Sequence, residues 1–373
     1  MGRPVERTPR VGDDRAGRRR AFDDVRLLAA VGVVLSHSFH LAGATDPITP
    51  VIGFGNLGTL CVIAFMALSG YLVTQSWEQD PRVAIFFAKR ALRILPALVV
   101  VVVVTTLIIG PLVTTESLGG YLRDPASWRY LLNNSVLHPD PTTLPGVFTK
   151  GPEVIANSSL WTLPYEVSFY LAVPLLLIAA SALRRRLTMV IVLAVVVAMA
   201  VDGLADTPLV WTLRSGWLAL FGVAFLCGAL LRSLSGRALA TAAVLACVVA
   251  APTRGTSIWP VACTAAVATL AVAIGSMRGG LVGRGRLRAD LSYGLYLWGY
   301  PVAQLIVLFT AVRRPLVLFA LAAPITTVCA LASWRLVESP ALRLKSRLRP
   351  RPIPTLAPAP SPYPHQNAAA MIT

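Results

Sequence analysis

Arg26 and His37 lie eleven positions apart in an otherwise apolar stretch. At about 100° per residue, eleven positions make three turns plus roughly 20°, so in a helix the two side chains share a face. A rise of about 1.5 Å per residue sets them roughly 16 Å apart along the axis. An arginine at one end of such a face can hold an anion, and a neutral imidazole further along can take a proton from a hydroxyl. His40 continues the same side one turn on. A second constellation begins at Glu166, which with Phe169 and Tyr170 is spaced i, i+3, i+4 along one helical strip. A carboxylate there can orient a histidine and fix the tautomer of a general base, or pair with another helix for structure alone. Arg90 and Arg93, one turn apart between Phe87 and Pro96, can clamp phosphates or serve only as positive topological charge. Ser69-Gly70-Tyr71 offers a small pair for close helix approach and a hydroxyl for a substrate. Arg26 alone also reads as a snorkelling side chain, and His37 alone as an interhelical hydrogen-bonding group. Their alignment, taken with Glu166, favours chemistry.

These residues need a membrane scaffold. Of 373 residues 55% are hydrophobic and 14% charged, with a mean hydropathy of +0.68, which leaves too little polar surface for soluble domains. Apolar runs predict an all-α integral membrane protein of about ten transmembrane helices. They fall at roughly 24–43, 57–76, 92–113, 162–181, 187–202, 213–231, 238–251, 257–275, 290–311 and 315–337. The net charge of +17 would point to nucleic acid in a soluble protein, but its distribution gives it another meaning. With the N-terminus inside, 27 of the 34 Lys and Arg residues fall on inner segments and 7 on outer ones. The positive-inside rule therefore predicts an N-in, C-in arrangement, with membrane lipid and no nucleic acid as partner.

The expected organisation is a disordered basic tail over 1–20, a transmembrane domain over 21–345 and a Pro/Ala-rich cytoplasmic tail over 346–373. A cleaved signal peptide is disfavoured, because the first apolar stretch carries Asp23, Asp24, Arg26 and His37. The long outer connection, 114–161, is rich in Pro, Asn and Gly and predicts an ordered lid or re-entrant loop. All five cysteines fall inside the apolar spans, which argues for packing rather than disulfides. The four histidines show no metal-ligand spacing with carboxylates, so no metal is expected.

In order along the chain, several segments resemble the membrane acyltransferase-3 family. Asp23 to Arg26 and on to His37 resembles that family's D-x-x-R opening and R-x10-H signature. Phe65 to Tyr71, with Ser69-Gly70, and Arg90 to Pro96 are similar to its next two segments. Leu160-Trp161-Thr162-Leu163 with Glu166 and Phe169-Tyr170 resembles its LW[ST]L-x-x-E-x-x-FY block. Ser292-Tyr293-Gly294-Leu295-Tyr296-Leu297 and Val337-Glu338-Ser339-Pro340 are similar to its closing segments. The sequence departs from many relatives at Gly299, where they carry histidine after Tyr-Leu-Trp, which leaves His37 as the better base. The chain ends soon after the tenth span, so a member without the appended esterase-like domain is expected.

The resemblance implies a multi-pass enzyme of the bacterial cytoplasmic membrane. It would take acyl-CoA, acetyl-CoA above all, as co-substrate with no bound cofactor, and a hydroxylated acceptor: saccharide, glycolipid or glycosylated or polyketide-type small molecule. His37 and Glu166 are the expected catalytic residues. Arg26, Ser69, Arg90, Arg93, Trp161, Tyr170, Tyr293 and Tyr296 are the expected substrate-binding ones. In this reading the arginines hold the donor phosphates, and its arm reaches His37 near mid-membrane. His37 then acts as general base or is itself acylated, with Glu166 orienting the imidazole or the acceptor. The competing class is a transporter or flippase for a lipid-linked or saccharide substrate. Against it stand the missing inverted repeat and the clustering of polar residues in the first four spans.

Overall fold

The computed structural model describes residues 11–138, 142–179, 192–193, 208–210, 213–277 and 290–345. It is a helical bundle, with α1 (Val11–Leu41), α2 (Thr49–Ile52), α3 (Leu57–Gln79) and α4 (Val83–Val104) in its first part. A π-turn at Thr105–Ile109 carries α4 into α5 (Gly110–Val113). The outer connection holds α6 (Leu118–Arg123) and α7 (Pro125–Ser135), and a 3-10 turn at Ser158–Thr162 opens α8 (Leu163–Ala179). A short hairpin, Pro208–Val210 with Leu213–Arg214, precedes α9 (Ser215–Leu231). Then follow α10 (Gly236–Ala250), α11 (Trp259–Gly275), α12 (Ser292–Thr310), α13 (Pro315–Ser333) and α14 (Ser339–Arg343).

Six segments are long and apolar enough to cross a bilayer: Ala21–Leu41, Leu57–Gln79, Val83–Val113, Ser158–Ile178, Gly236–Thr253 and Pro315–Arg343. Two more apolar helices, Gly216–Leu231 and Trp259–Gly275, are shorter. With α12, helices among the described residues stand where nine of the ten spans were expected. The expected span at 187–202 lies outside the described residues apart from a helical pair at 192–193. One expectation is corrected at the N-terminus. Helix α1 begins at Val11, so residues 11–20 are helical rather than part of a structureless tail. Arg18 to Arg20 and Ala21 are good helix formers and carry the turn inward from the apolar span. Residues 346–373 lie outside the description.

Helix α1 packs against α3, α11, α12 and α13, and α3 against α9 and α11. The tightest crossing is reciprocal. A Cβ on Gly70 of α3 would stand 1.9 Å from the Phe225 carbonyl of α9, and one on Gly228 would stand 1.9 Å from the Ala67 carbonyl of α3. No side chain fits at either position, so the small residue beside Ser69 sets the helix separation. At Gly299 of α12, a Cβ would meet Val34 of α1 at 2.7 Å. Gly299 is therefore used for close contact with the helix that bears His37.

The described residues of the 114–161 connection are pinned to the bundle. Tyr121 and Tyr130 are fully buried, and the Tyr121 hydroxyl donates to the Thr106 carbonyl (2.7 Å), a group freed by the π-turn. Gln304 of α12 donates its amide to the carbonyls of Glu153 (2.9 Å) and Ile155 (3.1 Å). Asn157 donates to the Leu297 carbonyl (3.0 Å). These bonds hold the Ser158–Thr162 turn against α12, over the outer end of α1.

Candidate active site

Three levels of polar groups follow one another along α8 and α12; the one at Asp290 and Lys345 is termed inner and the one at His37 outer. At the innermost level a cleft of about 430 Å³ is lined by Arg26 of α1, Ser69 and Ser76 of α3, Arg90 and Arg93 of α4, Tyr170 of α8, Asp290 and Lys345 among others. Its arginines differ in how they are satisfied. Arg93 is engaged by carboxylates, its guanidinium lying 2.5 Å from Asp290 Oδ2 and 3.7 Å from Glu338 Oε2. Arg26 shares the same Asp290 oxygen at 3.7 Å. Asp290 is fixed in turn by the Ser292 hydroxyl, which donates to its Oδ1 (2.6 Å). Among the described residues Arg90 has no carboxylate partner. It donates to Ser76 Oγ (3.1 Å) and lies over the rings of Phe86 (5.6 Å) and Tyr170 (5.8 Å). The Nε groups of Arg26 and Arg90 are buried with no hydrogen-bond partner among the described residues, a costly state that an anionic ligand would relieve. Lys345, just beyond the last apolar segment (Pro315–Arg343), reports the same surplus of positive charge. Burial, then Arg90, Arg93 and Arg26, push its ammonium down to about 8.

Arg26 also lines the middle level, a narrow cavity of about 40 Å³ bounded by Phe65, Met66, Thr162, Glu166, Tyr293 and Tyr296. Here Glu166 Oε1 accepts from the Ser69 hydroxyl (2.6 Å) and from the Tyr170 hydroxyl one turn along α8 (2.5 Å). Tyr293 donates to the Ile94 carbonyl (3.0 Å) and its ring lies under Arg93 (5.7 Å). The Tyr296 hydroxyl shares a short hydrogen bond with Thr162 Oγ1.

At the outer level His37 Nε2 lies 3.5 Å from Ser159 Oγ. Its ring meets Tyr300 edge-on, with centroids 4.9 Å apart. Ser159 is held by its own backbone N–H, which donates to Asn157 Oδ1 (3.0 Å). His40 stands apart from this pair and faces Glu153 (3.2 Å).

The structure brings Arg26, Ser69, Arg90, Arg93, Tyr170, Glu166, Tyr293 and Tyr296 around two cavities joined at Arg26. Three placements depart from expectation. First, Glu166 does not orient His37; its partners are Ser69 and Tyr170. Because α8 opens with the Ser158–Thr162 turn and runs inward, Ser159 arrives at the level of His37 and Glu166 lies two turns deeper. Second, His37 stands toward one end of its span: the apolar segment runs from Ala21 to Leu41, and His37 is roughly 24 Å along the helix from Ala21. Third, Trp161 lines neither cavity. It packs with Tyr165 (5.8 Å), Trp217 (5.4 Å) and Phe221 (5.8 Å), on the side facing α9.

Sequence reasoning missed Asp290, Lys345, Ser76 and Ser159 as parts of the site. Asp290 carried a signal, since it is an acid directly before an apolar helix that could meet a buried arginine. Ser159 carried little beyond its place next to Leu160-Trp161.

Residues 19–335 match a family model described as an acyltransferase domain. The chain is 28% identical over 297 residues to an O-acetyl transferase of Shigella phage Sf6, an alignment covering 77% of this chain and 85% of that protein. It is 35% identical over 172 residues to Nodulation protein 10 of Rhizobium leguminosarum bv. viciae, covering 43% of this chain and 45% of that one. No solved structure matches the chain.

Proposed function

The chain belongs to the acyltransferase family whose domain its residues 19–335 match, and from that membership we propose an O-acyl transfer driven by acyl-CoA. In this reading the protein sits N-in in a bacterial cytoplasmic membrane and takes the donor, acetyl-CoA above all, from the inner side. The acceptor is a hydroxyl of a saccharide, glycolipid or glycosylated small molecule. The observation that carries the reading is the continuity at Arg26. One side chain lines both the cationic cleft and the Glu166 cavity, and His37 lies three turns further along its own helix face.

The donor's phosphates fit the cleft. Arg90 is the principal ligand because no carboxylate competes for it among the described residues, and its guanidinium suits bidentate phosphate contact. Arg26 and Lys345 add charge, while Arg93, tied to Asp290 and Glu338, fixes the wall. The roughly 16 Å from Arg26 to His37 matches an extended pantetheine arm. Passage along the narrow middle cavity requires the Thr162–Tyr296 contact to part. Glu166, with its two hydroxyl donors, supports that channel and does not act on the imidazole. His37 removes the attacking hydroxyl's proton and returns it to the departing thiolate.

The test is incubation of membranes containing the protein with radiolabelled acetyl-CoA. Label entering an extractable hydroxylated acceptor, with an equal release of CoA, is the expected result. Movement of an acceptor across the membrane with no CoA release would favour a transporter instead.

A further inference from the structure

In the acyl-CoA reading the donor enters from the cationic cleft, and beyond the middle cavity a serine hydroxyl stands beside His37. Ser159 Oγ lies 3.5 Å from His37 Nε2, a separation typical of nucleophile–base pairs before substrate tightens them. The pair is held from both sides. Ser159 is fixed through Asn157, whose side chain accepts the Ser159 N–H and donates to Leu297 of α12. His37 is fixed by the edge-on ring of Tyr300, one turn beyond Tyr296 on the same helix. Ser159 is 1% exposed, so an ester formed on it is shielded from water. Ser159 does not itself line the middle cavity, but Thr162, three residues on in the same turn, does.

We propose that Ser159 is a catalytic nucleophile that carries the acyl group between donor and acceptor. The step rests on the acyl-CoA reading above and deepens it. His37 takes the Ser159 hydroxyl proton as Oγ attacks the thioester carbonyl. The C–S bond breaks, the imidazolium protonates the leaving CoA thiolate, and an oxyester is left on Ser159. In the second half His37 deprotonates the acceptor hydroxyl, which attacks that ester. The acceptor's ester forms, and Ser159 Oγ leaves with the proton from His37. Atoms balance as acyl-CoA plus acceptor alcohol giving acyl ester plus CoA thiol, and no oxidant or metal enters. Two short transfers replace a single meeting of donor and acceptor across the bundle.

The test uses the full-length protein purified in lipid nanodiscs, mixed with radiolabelled acetyl-CoA without acceptor and quenched in acid. One equivalent of CoA should be released in a burst, with label bound to the protein and mapping to the peptide that contains Ser159. That label should resist neutral hydroxylamine, as an oxyester does. S159A should lose the label, and its transfer rate in acceptor-containing membranes should fall by at least about a hundredfold. S159C should regain label in a hydroxylamine-sensitive form, the mark of a thioester, which separates loss of the nucleophile from loss of the fold. Transfer by wild type with no burst and no label overturns the Ser159 role and leaves the acyl-CoA reading standing. So does hydroxylamine-sensitive label on wild type that persists in S159A, the mark of an acyl-histidine. No CoA release by wild type under either condition overturns both.

Discussion

The inner cleft and the outer His37 cluster are built from different materials. The cleft gathers Arg26, Arg90, Arg93 and Lys345 and partly neutralises them with Asp290 and Glu338. The outer cluster consists of a histidine, a serine and a tyrosine ring, with His40 turned away toward Glu153. Charge collected at a rim is suited to capturing a multiply anionic ligand and to steering its approach. Neutral hydrogen-bonding groups in a low-dielectric setting are suited to proton transfer, because an unprotonated imidazole is the form that accepts a proton. Under the proposed reading, binding and chemistry are separable by substitution in this protein.

Three substitutions sharpen that division, taken in order of expected effect. H37A should lower the rate of acyl transfer by about 10²- to 10⁴-fold, the usual contribution of a general base. Its measurement is label transfer from acetyl-CoA, with a check that the protein is still membrane-inserted. R90A should raise the donor KM by about tenfold or more, as expected for loss of a charge-assisted contact, with a small effect on turnover. A weakened response to added 3′,5′-ADP as competitor would accompany it. Lys345 should produce the smallest effect. Its ammonium, pushed down to about 8 chiefly by burial, loses charge as pH climbs past that value. The donor KM should then rise about two- to threefold across this window, and K345M should flatten the dependence. The stability effect has the opposite sense. The unfolded value, 10.5, lies above the folded one, so between the two the unfolded chain holds more protons and stability rises with pH.

How much of this was legible beforehand varies by residue. The spans at α3, α4 and α8 are readable because runs of twenty apolar residues have few alternatives to helix. Arg26, Arg90 and Arg93 were visible because charge inside such runs is expensive and stands out. Their counter-ion was not, because Asp290 lies about 200 positions from Arg93 and only the folded bundle joins them. The expected link between Glu166 and His37 failed for a related reason. Periodicity places residues on a helix face, but the depth of α8 relative to α1 is set by the Ser158–Thr162 turn and by the Asn157 and Gln304 bonds to α12. Ser159 escaped notice because an uncharged hydroxyl at the end of an Asn/Ser stretch looks like any loop residue. Trp161 was read as a substrate contact from its motif, yet its ring is taken up by Trp217 and Phe221.

The central claim, capture at the inner cleft and chemistry at the outer His37 cluster, is tested most directly by kinetics of wild type, R90A and H37A with varied acetyl-CoA. The account predicts a split. R90A should raise KM about tenfold or more with kcat within about threefold, whereas H37A should lower kcat at least about a hundredfold with KM little changed. Near wild-type kcat in H37A, or an R90A defect confined to kcat, would contradict it.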